Sequence, residues 1–283
     1  MKKLLFGLIA LLFFQNLIGQ SAWNLEENSW YTQLNYTRIG PYSELFIDGD
    51  ETGTTPREIE DNTFQFYAEY GLNSKTTLSL NIPVKLITTG AQATEITPLI
   101  DQNRVTSFGN IGFGVKRNLI NKNFLLSTGL VVEANTGVYD DASGISTGYD
   151  AWTIIPGVYF GKSYNNLFLQ SNIGVGFRTN NYSHFFRGSA EVGYKFLKRI
   201  WVIFYLDYKK SFYNGTIDLT INNVSTALYV DNKEYAGFGL KAIYDLTNKV
   251  GITSGFGGAF SANAEARKAA LNLGLFMKID SKK

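Results

Sequence analysis

Between residues 105 and 136 the chain reads VTSFGNIGFGVKRNLINKNFLLSTGLVVEANT, and its large apolar residues recur at a spacing of two. Ile111, Phe113 and Val115 alternate with glycine and polar residues, and Leu126, Leu130 and Val132 do so again after a short polar link. A soluble helix would place its apolar residues three and four apart. The stretch therefore predicts two antiparallel strands, each with one apolar face.

The pattern recurs in WYTQLNYTRI (30–39), TFQFYAEYGL (63–72), TTLSLNIPVKLI (76–87), WTIIPGVYFG (152–161), LFLQSNIGVGFR (167–178), FFRGSAEVGYKF (185–196), IWVIFYLDYK (200–209), YAGFGLKAIYDL (235–246), VGITSGFGGAF (250–260) and LNLGLFMKI (271–279), which with the opening pair makes twelve candidate strands. In 63–72, Phe64, Phe66, Ala68, Tyr70 and Leu72 share one face, and Gln65, Tyr67 and Glu69 the other. The register of 152–161 and 200–209 stays open. IWVIFYLDY is apolar on both faces, and Pro156, like Pro83, cannot donate a ladder hydrogen bond.

Connections after the second, fourth, sixth, eighth and tenth strands are short, whereas 40–61, 88–104, 137–150, 212–234 and 261–268 are longer and polar; 179–184 is a short exception. Outer-membrane barrels have this asymmetry, with short periplasmic turns and longer external loops. Strands of about 9 to 11 tilted residues cross a bilayer, and in hydrocarbon a sheet must close on itself to pair every backbone group. The expected fold is all-β, a transmembrane antiparallel up-and-down β-barrel of about twelve strands, with apolar faces toward lipid and glycines and polar residues toward the lumen. A soluble sandwich would need polar outer faces of comparable size. Within 212–234, TIDLTI and VSTALYV read as a hairpin turned by Asn222 and Asn223, extending the flanking strands above the membrane or folding over the mouth.

The first twenty residues, MKKLLFGLIALLFFQNLIGQ, carry Lys2 and Lys3, an apolar run from Leu4 to Phe14 and a small Gly19, and read as a secretory signal peptide ahead of one barrel domain over 21–283. The expected location is the outer membrane of a Gram-negative type envelope, in contact with outer-membrane lipid and lipopolysaccharide. A net charge of +2 gives no basic surface for nucleic acid. Cysteine is absent, which removes disulfides, thiol nucleophiles and thiolate metal sites. The oligomeric state is left open.

With this phase both signs of charge point inward. Glu133, Arg178, Arg187, Glu191, Asp207, Lys85 and Asn110 are candidates for a constriction that screens solutes, with Glu133, Arg178, Arg187 and Asp207 toward the external mouth. The same charges could instead pair across a water-filled bore and only stiffen it. About twelve strands lie between barrels of about eight, filled by side chains, and of about sixteen, which hold open water, so a narrow or partly occluded passage is expected. Lumen glycines, among them Gly129, Gly174, Gly176, Gly193, Gly239 and Gly257, read as sites of strand curvature. Leu80→Arg or Leu130→Arg on the lipid face is expected to be costly, and Asn81→Arg or Gly129→Ser on the lumen face much less so.

Other chemistry is weakly signalled. Gly109, Gly112 and Gly114, like GFGG at 255–258, lack the following helix that a phosphate loop needs. A barrel lipid-modifying enzyme would need a serine activated by histidine, and His184 is the sole histidine. Ser183 is its neighbour and would point to the opposite face, so no catalytic residues are assigned. Asp48, Asp50 and Glu51, and Asp140 with Asp141, lack calcium-loop spacing, and no metal or cofactor is expected.

SFGNIGFGVKRNLI followed by FLLSTGLVVEANTG resembles the outer-membrane proteins grouped as the meta-pathway of phenol degradation family. Matching positions are Gly109, Ile111, Gly114, Lys116, Thr136 and Gly137; Asn110 stands where that pattern has an acidic residue, and no proline precedes Thr136. The resemblance implies a passive channel or transporter for small, often hydrophobic or aromatic, molecules. The alternative is a structural or adhesive barrel with an occluded lumen, to which the inward Tyr67, Phe168 and Phe276 lend weight.

Overall fold

In a computed structural model that describes residues 22–95 and 99–280, the first strand pairs with both the second and the last, which closes the sheet. The strands are β1 (Trp30–Phe46), β2 (Thr52–Asn73), β3 (Thr76–Gln92), β4 (Asn103–Phe108), β5 (Gly112–Asn121), β6 (Leu125–Glu133), the short β7 (Tyr139–Asp140) and β8 (Ile145–Ser146), then β9 (Thr153–Tyr164), β10 (Leu167–Arg178), β11 (Phe185–Phe196), β12 (Ile200–Ser211), β13 (Glu234–Asp245), β14 (Val250–Asn263), the short β15 (Glu265–Ala266) and β16 (Ala270–Ile279). β4 and β5 are one barrel strand interrupted at Gly109–Ile111, so the antiparallel wall has twelve staves. The signal-peptide reading falls on residues outside those described.

β1 aligns Leu34 with Leu275 of β16 and with Phe66 of β2, so the seam is continuous through the middle of the wall. β1, β2 and β3 run to 17, 22 and 17 residues and project past the bilayer on the external side, further than period-two spacing indicated. Where β1 leaves the membrane it bulges between Ile39 and Tyr42. Gly40 there has φ +102°, and a Cβ on it would lie 2.5 Å from the Ile59 carbonyl oxygen, so only glycine fits.

The alternation sets the faces as expected. Leu34, Phe64, Phe113, Leu130, Ile173, Leu206 and Leu273 project outward, with Leu273 63% exposed, an arrangement that is stable only in contact with acyl chains. Trp30, Tyr70, Tyr164 and Tyr194 mark the periplasmic rim of this belt, and Trp152, Tyr208 and Phe212 the external rim. The two strands of open register are also fixed. Ile155 and Tyr159 of β9, and Ile203 and Tyr205 of β12, are buried in the bore, while Ile154, Val158, Val202, Phe204 and Leu206 face outward.

The lumen wall departs from the sequence reading in being packed. A Cβ on Gly129 would meet the Val115 carbonyl oxygen at 2.9 Å and the Tyr159 ring at 3.0 Å, and Asn81 is 8% exposed and accepts from the Gln65 amide at 2.5 Å. Gly129→Ser and Asn81→Arg are therefore not the cheap changes that a watery face would allow. The glycines also do more than permit curvature. Gly176 lies beneath the Phe185 ring, Gly193 beneath Phe168, and Gly239 and Gly257 beneath Tyr205, so they give inward aromatic rings room to lie against the wall.

The 212–234 segment is not a hairpin. Thr220 caps a short helix, α1 (Ile221–Thr226), by accepting the Asn223 amide, and Ala227 ends it in the left-handed region. Leu228 then packs with Ile39, Tyr42, Ile59, Ile87 and Ile145 in an apolar cluster inside the mouth. Ala227, Leu228 and Val230 are buried by this inward fold and Tyr229 is partly buried, whereas a two-residue turn in an upright hairpin would leave them in water.

Candidate functional site

Three external loops meet over the bore. The 134–151 loop is anchored to the wall at the interruption between β4 and β5. Asn110 Nδ2 donates to the Ala134 and Tyr149 carbonyls, both at 2.9 Å, and its Oδ1 accepts the Tyr149 amide at 2.7 Å. Thr136 Oγ1 accepts the Ile111 amide at 2.9 Å and donates to the Gly109 carbonyl at 2.5 Å. Gly137 lies so close to Gly148 that a Cβ would be 2.7 Å from its backbone. Four of the six positions that carry the family resemblance, Gly109, Ile111, Thr136 and Gly137, thus form a loop clamp in which Asn110 sits. Asn110→Ala should destabilise the protein by about 1–3 kcal/mol through the unpaired backbone groups it leaves. It should also expose 134–151 to limited proteolysis, and unchanged protease resistance would contradict the clamp.

The other two loops lock onto the first. Thr226 Oγ1 donates to the Gly144 carbonyl at 2.8 Å, and Asn222 Nδ2 to the Asp141 carbonyl at 2.7 Å. Ser183 Oγ donates to Asp231 at 2.8 Å, and the His184 Nδ1 accepts the Arg178 amide at 3.2 Å. Serine and histidine each have other partners, and the dyad of a barrel hydrolase is not assembled. Among the described residues no group of three histidine, aspartate or glutamate side chains is placed to hold a metal.

Below this cap lies a cavity of about 160 Å³, and five of the sequence candidates, Glu133, Arg178, Arg187, Glu191 and Asp207, line it. The four expected near the mouth do converge, yet none forms an ion pair with another within 4.0 Å. Lys85 lies apart, bonded to Asp61 at 2.9 Å and placed 5.6 Å from the Tyr229 ring centre. Two loop phenols feel the charges differently. Burial raises the Tyr149 phenol, but Lys209, Arg178 and Lys233 outweigh it and the net direction is down. Burial pushes the Tyr229 phenol up to about 12 against the lowering effect of Lys85.

A second cavity of about 600 Å³ occupies the periplasmic half. Its wall is aromatic and polar, with Tyr31, Phe168 and Trp201 among the lining residues. The two cavities share Gln170 and Glu191, which are joined at 2.6 Å, and Lys241 reaches Glu191 at 3.2 Å. This polar bar lies on the wall staves β10, β11 and β13, where the two chambers adjoin.

The sequence reading missed the segment before β1. Residues 22–25 enter the periplasmic half of the bore. Lys116 Nζ donates to the Trp23 carbonyl at 2.8 Å, Ser127 Oγ to the Ala22 carbonyl at 3.2 Å, and the Ala22 amide to Gln170 at 3.2 Å. The Trp23 ring meets Phe168 edge-on at 5.9 Å. Most of these bonds use backbone atoms, so no side-chain pattern signals them.

The architecture is similar to the crystal structure of the COG4313 outer membrane channel from Pseudomonas putida F1, with a TM-score of 0.70 at 12% identity over 90% of this chain and 97% of that one. The beta domain of the Bordetella autotransporter Brka gives 0.51 at 8% identity, over 89% of this chain and 100% of that one. The CymD monoaromatic hydrocarbon channel gives 0.48 at 8% identity, over 90% of each chain. No curated protein matches the chain. The pairing of a closed twelve-stave wall with the Asn110–Thr136 clamp is accompanied by a family match over most of the sequence. The chain belongs to the family described as "Putative MetA-pathway of phenol degradation", whose model matches residues 49–277.

Proposed function

We propose that the protein is a passive outer-membrane channel for small molecules, with a bore narrow enough to select them. One observation carries this reading: two cavities are stacked along the axis and meet at the Gln170–Glu191 bar, so the interior is not filled by side chains as in a smaller barrel. The outward apolar belt supports a place in the outer membrane, reached by way of the leader read in residues 1–20. Its external surface would contact lipopolysaccharide. The family description and the aromatic lining of the lower chamber support hydrophobic or aromatic solutes. Catalysis is not part of the proposal.

Purified protein in a planar bilayer should give small, discrete conductance steps, and liposomes containing it should swell in small neutral solutes. Silence in both assays would overturn the channel reading and leave a structural barrel with an occluded lumen.

A further inference from the structure

Most charges around the upper cavity have a partner. Lys85 is bonded to Asp61, Lys233 to Glu265 at 3.0 Å and Lys241 to Glu191, while Arg187 hydrogen-bonds the Tyr159 phenol. Asp207 accepts from the Tyr235 hydroxyl at 3.2 Å. Among the described residues two cations form no ion pair within 4.0 Å, although Glu265, itself paired with Lys233, acts on one of them, Lys209, from farther off.

Arg178 is 8% exposed, its Nε is buried with no hydrogen-bond partner, and none of the described carboxylates lies within ion-pair distance of it. Its guanidinium sits 3.6 Å over the Tyr149 ring centre and 4.5 Å over that of Phe185. Lys209 lies over the same two rings, at 5.2 and 5.0 Å, and among the described residues donates only to the Tyr149 hydroxyl, at 3.1 Å. Glu133 lines the cavity but stays beyond ion-pair distance of both. Burying a cation is costly, and stacking on a ring offsets only part of that cost. Two like charges held over one pair of rings, with no described carboxylate within 4.0 Å of either, form an incomplete site.

We propose that Arg178 and Lys209, in the upper cavity, bind the carboxylate of a small organic acid, whose apolar part rests against Ile39, Tyr42, Leu228 and Tyr229. The planar fork of an arginine matches a carboxylate with two parallel hydrogen bonds, and the lysine supplies a point charge beside it. A void of about 150 Å³ accommodates one benzene-sized group, and this cavity measures about 160 Å³. Its wall is shared between charged groups and the four apolar residues named, which suits an acid with a short hydrocarbon body better than an inorganic anion. The lowered phenol of Tyr149 reports the same positive field. This site deepens the channel reading, because it would hold the solute on its way to the Gln170–Glu191 bar.

The test is calorimetric titration of the purified full mature protein in detergent with benzoate, benzyl alcohol and inorganic phosphate, alongside bilayer recordings of the same preparation in potassium chloride. Benzoate should bind saturably and better than the other two probes. Arg178→Gln and Lys209→Gln should each weaken it by about 10- to 100-fold, the range for hydrogen bonds to charged groups. Arg178→Lys should recover only part of the loss. Should Arg178→Gln fail to reach the heat-modifiable folded form, Lys209→Gln carries the comparison. Equal binding of benzyl alcohol or phosphate, or unchanged benzoate affinity in the folded variants, would overturn the assignment. Benzoate binding without conductance would sustain the site and sink the channel; conductance without benzoate binding would do the reverse.

Discussion

A mature chain lacking residues 22–25 should conduct severalfold more current than the intact protein. Those four residues cross the periplasmic half of the bore and line its larger cavity through Trp23, Asn24 and Leu25. They are held by Lys116, Ser127, Gln170 and Thr77, which are all wall residues that hydrate once the segment is gone. β1 keeps its start, because Asn28 donates to the Gly71 carbonyl at 2.7 Å and Gly71 to Ser29 at 2.9 Å, outside the deleted stretch. Trp23→Ala should give an intermediate rise: it removes the ring against Phe168 and leaves the backbone anchors in place. Single-channel recording reads both variants directly. Conductance equal to that of the intact chain would mean that the external cap, and not this segment, limits flow.

Which parts of this arrangement the sequence discloses follows from where the forces act. A strand with one face in lipid must repeat every second residue, and a slip of one residue would reverse every side chain, so the outward Phe113, Val115 and Leu130 could be assigned from spacing alone. β12 resisted the same reading because its inner face is also apolar: Tyr205 lies against Gly239 and Gly257 from two neighbouring strands, a contact that only the closed wall creates. The inward charges were identifiable one by one, but not their pairing. Lys85 and Asp61 are separated by a strand turn, whereas Lys233 and Glu265 come from different loops. Thr220, three residues before Asn223, was the available sign that a helix start and not a hairpin occupies the segment. The bore-filling residues 22–25 left no trace, since a carbonyl offered to Lys116 is present in any sequence.

Leu130→Arg should destabilise the folded barrel by roughly 2 to 4 kcal/mol, the cost of a cation at the bilayer midplane. Leu130 lies midway along β6, is 39% exposed on the outer face, and stands opposite Val115 and Pro156 in the neighbouring strands, so an arginine there finds no partner and no water. Its neighbour on the other face makes a poor control, because Gly129 has no room for a Cβ. Ser163→Arg is the better comparison. That residue is exposed at the periplasmic rim of the lower cavity, where a long side chain reaches solvent, and its effect should be close to zero. Reversible denaturant unfolding in phospholipid vesicles measures the difference. If the two arginines cost the same, the exterior of this sheet is not the surface that meets lipid. The bore, the cap and the inner segment would then all have to be reassigned to the opposite face of the wall.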